Sequence, residues 1–461
     1  MQPRMEHDDV PWEKYEEIAD NYCRQFFEPE ILRPEFSFLK RGTYNIALKM
    51  TYSDDSSVVI SFPQPGAIFV PDRRIEGVSV PFIYHWASRE ESPLGLGPCI
   101  VMDLEHSTSM YEALNYPGCP DAERGHLDPD IEEGKLEALY GEAAGISLRL
   151  SQSSWPRIGA LEQIDDFTWD VTRRPFKAPN TTFDTAAEYF ESLAELHITH
   201  LIHQRNDAIY SADDCRHKLS RLMERWASTF GKGPFKLWCD DLRLANILMN
   251  DESKIVGVVD WEFTYAAPVK FSYAPSWWPL IERPDYWESG LEDWCCTYER
   301  RLQTFLSAMN CREDEAIQQG WLEDAQRLSG PMRDSWESGD FWTSYAARDN
   351  FAFDLIYWYK IDQFFGGLSS ACPIEDVWKQ RIELLEPGER AEMEKIVATK
   401  LEEMETRPLA WDPDEYIREL VEKGFGVEAP AVSEGKEIDA EAEVDDGDVG
   451  SDKLAELSLT S

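Results

Sequence analysis

Positive charge is scarce in this chain. Its 461 residues hold 45 Lys and Arg against 88 Asp and Glu, a formal net charge of −43. That balance argues against nucleic acid and against an anionic membrane surface as partners, and leaves cationic small molecules and basic partners open. Long apolar runs are missing as well, since no stretch approaches the roughly 18 residues of a membrane span. The opening MQPRMEHDDV has acids and a histidine where a secretory signal would carry basic and then apolar residues. Metal-type cysteine spacings are also absent. The nine cysteines, at 23, 99, 119, 215, 239, 295, 296, 311 and 372, are odd in number and never form Cys-x-x-Cys, which disfavours a disulfide framework and a zinc site. The expectation is a cytoplasmic protein with no membrane or nucleic-acid role; its oligomeric state is not legible.

What the chain does have is aromatic bulk, with 17 Trp and 12% Phe, Trp and Tyr, enough for two or three packed units. Trp12, Tyr15, Ile18, Tyr22 and Phe26 recur at helical steps, predicting an amphipathic helix from Pro11 to about Phe27. RGTYNIALKMTY and SSVVISF, joined by Ser53-Asp54-Asp55-Ser56, predict a hairpin. A further strand pair is expected at Pro81–Trp86 and Cys99–Leu104, around SPLGLGP. From about Lys135 the pattern turns helical, and FWTSYAARDNFAFDLIYWYKIDQFF reads as a buried helix. Residues 430–461, with ten acids and two bases, read as a disordered tail. The fold class predicted is α+β: a β-rich lobe over 1–104, a helical lobe over 105–425 and an acidic tail over 426–461.

Chemistry concentrates in FKLWCDDLRLANILMNDESKIVGVVDWEF. Lys236–Cys239 reads as a strand, Asp241–Ala245 as a polar loop, and ILMN-DESK-IVGVVD as a hairpin turning at Asp251-Glu252-Ser253. Asn246 enters the first hairpin strand and Asp260 leaves the second, so antiparallel pairing brings two hard oxygen donors to one end of the ribbon. Such a pair suits Mg²⁺. Asp241, on the loop five residues before Asn246, is placed to accept a proton from an attacking hydroxyl.

The order Asp-x-x-x-x-Asn followed by a strand ending in Asp resembles the kinase catalytic loop and metal-binding Asp. The surrounding sequence resembles the aminoglycoside phosphotransferase family and its choline kinase relatives, particularly fungal members of unassigned substrate, over roughly residues 36–365. The resemblance implies a protein-kinase-like two-lobed fold using ATP and Mg²⁺. It makes Asp241 the catalytic base and Asn246 and Asp260 the metal ligands. Gly42-Thr43-Tyr44-Asn45 is similar to the family's nucleotide loop, which assigns Gly42 and Asn45 to phosphate. Ile100-Val101-Met102-Asp103-Leu104 matches its hinge, which assigns Met102 and Leu104 to adenine.

Departures from the pattern touch activity. Ser61 stands where the family has a cation for the α- and β-phosphates. The helix that should follow has no room, because Pro63, Pro65, Gly66, Pro71, Gly77 and Pro81 interrupt the segment. Glu76 is the nearest acid, and Arg73 and Arg74 are alternative cations. Cys239-Asp240-Asp241 replaces His-Gly-Asp, and Ala267-Pro268 replaces Asp-Pro. Arg243 falls where the family often has a positive or polar residue.

Weaker features are set aside. His197, His200 and His203 fan round a helix and cannot share one metal. Cys295 and Cys296 point to different faces. Pro275-Ser276-Trp277-Trp278-Pro279 either walls a substrate pocket or plugs the helical lobe. The function expected is ATP- and Mg²⁺-dependent phosphoryl transfer to a hydroxyl of a small, cationic or neutral, molecule. The alternative is a pseudokinase that binds a ligand or protein without turnover.

Overall fold

A computed structural model describes residues 35–41, 45–51, 57–63, 80–87, 99–103, 107–119, 124–165, 168–173, 181–203, 209, 211–219, 233–349, 352–362, 373 and 376–406. Alternating apolar residues build the first part. β1 (Glu35–Arg41), β2 (Asn45–Thr51), β3 (Ser57–Pro63), β4 (Ile83–Ala87) and β5 (Cys99–Asp103) form one sheet in the order β1-β2-β3-β5-β4. All neighbours are antiparallel. Strand alternation gives the sheet two unlike faces. Leu48, Met50, Ile60 and Val101 share one face and are 0% exposed. Ala47, Lys49, Ser61, Ile100 and Met102 share the other and are half-buried.

The chain then crosses to a small three-stranded ribbon. β6 (Thr108–Ser109) pairs with β10 (Ile247–Met249), which pairs with β11 (Ile255–Val258). Pro81, just before β4, lies against Gly257 of β11, where an added Cβ would meet its ring at 3.0 Å. The sheet is thus packed beside the ribbon. A second ribbon, β9 (Phe235–Cys239) with β12 (Thr264–Pro268), stands next to it.

The remainder is mainly helical, as expected. Helix Glu133–Ser151 packs along helix Leu291–Gln318, burying Leu136, Tyr140, Phe305 and Met309. Trp294, Tyr298, Trp336, Phe341 and Trp342 stack or meet edge to face at 4.4–6.4 Å. At those separations ring contacts add to the area they bury. Tyr140 and Tyr298 each donate a buried hydroxyl at 2.5 Å to a carbonyl, Pro279 and Ser276 respectively, pinning the segment 275–280 from two sides.

One expectation needs correction. The aromatic run is not one helix: Asp340–Arg348 ends, and Phe353–Ile356 leads into a π-helical turn at Tyr357–Ile361. Asp349 causes the break, since its backbone is extended, its carboxylate pairs with Arg283, and its Oδ1 accepts the amide of Ala352 at 3.1 Å. Strand β1 and the hairpin of β7 (Ala160–Asp165) with β8 (Thr168–Thr172) add to the strands expected. The expected helix Pro11–Phe27, the turn Ser53–Ser56, the segment SPLGLGP, residues 64–79 with Arg73, Arg74 and Glu76, and the acidic tail lie outside the described residues.

Candidate active site

The catalytic-loop region hangs between β9 and β12. Cys239 ends β9 opposite Thr264, and the Asp240 amide donates to the Phe263 carbonyl at 3.3 Å, so the chain leaves the ribbon at a fixed point. Cys239 is 3% exposed, its Sγ donates to the Asp260 carbonyl at 3.8 Å, and burial pushes its thiol up to about 12. It braces the loop as a small apolar residue with a weak donor. Asp240 accepts the Trp238 indole N–H at 3.0 Å. Asp241 follows, its side chain 28% exposed, with Arg243 Nε 3.3 Å from its Oδ1.

A short 3-10 turn, Leu244–Asn246, then delivers Asn246 into β10. Asn246 is 4% exposed, and its Nδ2 donates to the Asp241 carbonyl at 2.9 Å and to the Asp241 carboxylate at 3.4 Å. The hairpin turns as expected. Asn250 Oδ1 accepts the amides of Glu252 and Lys254, and Ser253 takes the left-handed conformation the turn requires. At the other end the Val259 amide donates to the Asn246 carbonyl at 2.9 Å, so Asn246 and Asp260 come to the same end of the ribbon. Asp260 itself is left-handed, with φ 63° and ψ 52°, a conformation that Asp and Asn tolerate better than most residues.

Electrostatics couple the two acids. Burial raises the Asp241 carboxyl above its ordinary value, Arg243 pulls it down, and the Asp260 charge pushes it up again. Among the described residues no group of three or more His, Cys, Asp and Glu could hold a metal.

On the sheet side, Met102 lies in β5 opposite Val59 and Ile83, and Ser61 lies in β3 opposite Ala47 and Ile100. Asn45 begins β2. Gly42 and Leu104 lie outside the described residues.

Beside the loop opens a cavity of about 550 Å³, lined by Tyr111, Glu112, Arg124, Arg243, Trp277 and Glu282 among others. Arg243 and Trp277 are marked in the sequence, whereas Tyr111, Glu112, Arg124 and Glu282 come from separate stretches that no local pattern joins to them. Only Ser109 and Glu112 leave a trace, as a capping box in which each binds the other's backbone amide. Burial raises both the Glu282 carboxyl and the Tyr111 hydroxyl. Arg124 stacks 3.5 Å over the Tyr286 ring. Trp277 and Trp278 both line the cavity, and Trp278, 3% exposed, also packs against Tyr140 and Phe305. His197 is buried against Phe353 at 4.4 Å, whereas His203 is exposed, so the histidines share no site.

No family model matches the chain, and no curated protein sequence matches it. Solved structures do. A thermostable mutant of the aminoglycoside phosphotransferase APH(4)-Ia, in complex with AMP-PNP and hygromycin B, is 14% identical with a TM-score of 0.41 over 76% of this chain and 99% of that one. A type I macrolide 2′-phosphotransferase is 11% identical, TM-score 0.38, over 79% and 99%. Choline kinase LicA from Streptococcus pneumoniae is 12% identical, TM-score 0.37, over 84% and 99%.

Proposed function

We propose that this chain is a phosphotransferase of protein-kinase-like, two-lobed build that moves the terminal phosphoryl group of ATP, with Mg²⁺, to a hydroxyl of a small molecule. The observation that carries the reading is the Asp241–Asn246–Asp260 arrangement, in which one carboxylate is clamped by the amide of a residue sharing its ribbon end with a second carboxylate. On this reading residues 1–104 form the nucleotide lobe, 105–425 the helical lobe and 426–461 an appended tail, with Met102 at the adenine edge. The compartment proposed is the cytoplasm.

The donor set fits the ion. Asn246 spends its Nδ2 on Asp241, which leaves Oδ1 for a cation, and Asp260 offers carboxylate oxygens; Mg²⁺ takes few protein oxygens and completes its shell with phosphates and water. When bound, the ion supplies charge neutralisation on the terminal phosphates. The chain's own residues do the positioning. Asp241 accepts a hydrogen bond from the acceptor hydroxyl, aligns it and takes its proton as the new P–O bond forms and the bond from the terminal phosphorus to the bridging oxygen of the departing ADP breaks. Asn246 holds that carboxylate at one angle. The acceptor is assigned to the cavity by Trp277, whose aromatic wall carries Glu112 and Glu282 beside Arg124 and Arg243 and suits an amine-bearing or polyhydroxylated molecule.

One observation favours a second reading, a binding module without turnover: Ser61 gives β3 no cation on its half-buried face. The two are separated by ATP consumption with amino-alcohols, aminoglycosides and sugars, alongside the Mg-ATP shift in melting temperature. An enzyme shows both; the binding module shows no acceptor-dependent consumption.

A further inference from the structure

We propose that the acceptor is a zwitterion, a hydroxylated amino acid whose carboxylate is held by Arg124 and whose ammonium is held by Glu282 in the cavity beside Asp241. This deepens the phosphotransferase reading above and rests on it. Among the described residues the cavity wall carries four charged side chains, Glu112, Arg124, Arg243 and Glu282, and two of them are engaged. Arg243 has its Nε 3.3 Å from the Asp241 carboxylate, and Glu112 accepts the Ser109 amide at 2.9 Å in the capping box.

The other two form an open couple. Arg124 lies 3.5 Å over the Tyr286 ring, and among the described residues its guanidinium makes no hydrogen bond or ion pair. Its loop is anchored at the base, where Asn115 bridges to Leu127 and Asn115 Oδ1 accepts the His126 amide at 3.0 Å. Glu282 gives one oxygen to the Arg283 amide at 2.9 Å and keeps the other. The Arg283 guanidinium is spent elsewhere, on Asp285, Asp349 and the Tyr345 hydroxyl. Arg124 and Glu282 are neighbours all the same. Burial raises the Glu282 carboxyl, and the Arg283 amide and then the Arg124 charge pull it back.

Two opposite charges that share a cavity without meeting fit a group that carries both on one carbon, as an amino acid does. A guanidinium offers a carboxylate two parallel donors, and a half-buried carboxylate is relieved by an incoming ammonium. A purely cationic acceptor presses its charge on Arg124, and a purely anionic one presses on Glu282, so the couple selects against both. The far end of the acceptor meets the chemistry. Arg243 lines the same cavity and reaches the Asp241 carboxylate, so a hydroxyl on the amino acid's side chain is carried toward the proposed base.

Capping either charge gives the test. Mg-ATP consumption by the full chain at pH 7 is measured with serine, threonine, 4-hydroxyproline and 5-hydroxynorvaline, each beside its amide, which keeps only the ammonium, and its N-acetyl form, which keeps only the carboxylate. At least one amino acid is expected to exceed both capped forms by roughly tenfold or more in kcat/KM. Arg124→Gln erases its preference over the amide and Glu282→Gln its preference over the N-acetyl form, each through KM with kcat within about twofold of wild type. Arg124→Lys retains most of the preference. Variants that weaken all three forms equally mark a merely structural couple and overturn the assignment. Consumption with sugars, amino-alcohols or aminoglycosides but with no amino acid overturns it and leaves the phosphotransferase reading standing. A Mg-ATP shift in melting temperature with no acceptor consumed overturns it in favour of the binding module. Absence of both the shift and any consumption removes the phosphotransferase reading itself, an outcome distinct from the others.

Discussion

Asn246 and Asp241 are joined twice: one side-chain nitrogen donates to both the carbonyl, at 2.9 Å, and the carboxylate, at 3.4 Å, of the residue five positions upstream. The clamp orders the loop and aims its acid with a single group. Asn246→Ala is expected to lower acceptor-dependent turnover by about 10²-fold, the scale of a small misplacement of a reacting group. Far-UV circular dichroism should stay unchanged. Turnover within about threefold of wild type would mean that Asp241 is oriented by something else.

The pH profile follows from burial. The Asp241 carboxyl is raised, chiefly by desolvation, and must be ionised to act as a base, so turnover falls as pH drops through a value above that of an ordinary aspartate. Arg243 lowers that value, so Arg243→Gln moves the acid limb to higher pH. Rate profiles of the two proteins decide this; a limb that moves down or stays put sinks the assignment.

The same shift bears on stability. A carboxyl raised in the folded state costs stability where it is ionised, above its folded value, and the cost disappears on acidification below the unfolded value. Asp241→Asn should therefore melt no lower than wild type at neutral pH while losing turnover. Calorimetry at pH 7 showing a clearly lower melting temperature contradicts the desolvation account.

Asp260 combines a left-handed backbone with a carboxylate. Asp260→Asn keeps a residue that tolerates this conformation, so its melting temperature should stay close to wild type while the shift produced by Mg-ATP vanishes. Asp260→Val puts a β-branched residue there and should cost about 1–2 kcal/mol more, read from denaturant melts. Equal stability of the two variants refutes the backbone argument.

Cys239 should be chemically silent. Its thiol is buried and raised to about 12, whereas Cys296 and Cys311 are exposed. Iodoacetamide at pH 8 should label Cys296 and Cys311 in the folded protein and reach Cys239 only in denaturant, as read by peptide mass spectrometry. Early labelling of Cys239 contradicts its burial.

The ribbon Asn246–Asp260 was legible because each step in it is local. Asn250 and Ser253 are turn formers, the flanking runs are apolar, and an antiparallel hairpin allows no other meeting point for its two ends. The β2–β3 and β4–β5 pairs were legible for the same reason. The helix break at Asp349 was not, since the run around it is aromatic on both sides and the break answers to Arg283, far away in sequence. Nor was the cavity, whose walls at Tyr111, Arg124, Arg243 and Glu282 meet only when the chain has folded back on itself.

The order of residues alone therefore determined which acids and amide would gather at the loop, because neighbours within one hairpin have little freedom in where they meet. Folding in three dimensions decided where the long aromatic run bends and which distant side chains line the space beside Asp241. Those outcomes depend on packing between segments far apart in the chain, where many arrangements satisfy the same local preferences and only the shared interior selects one.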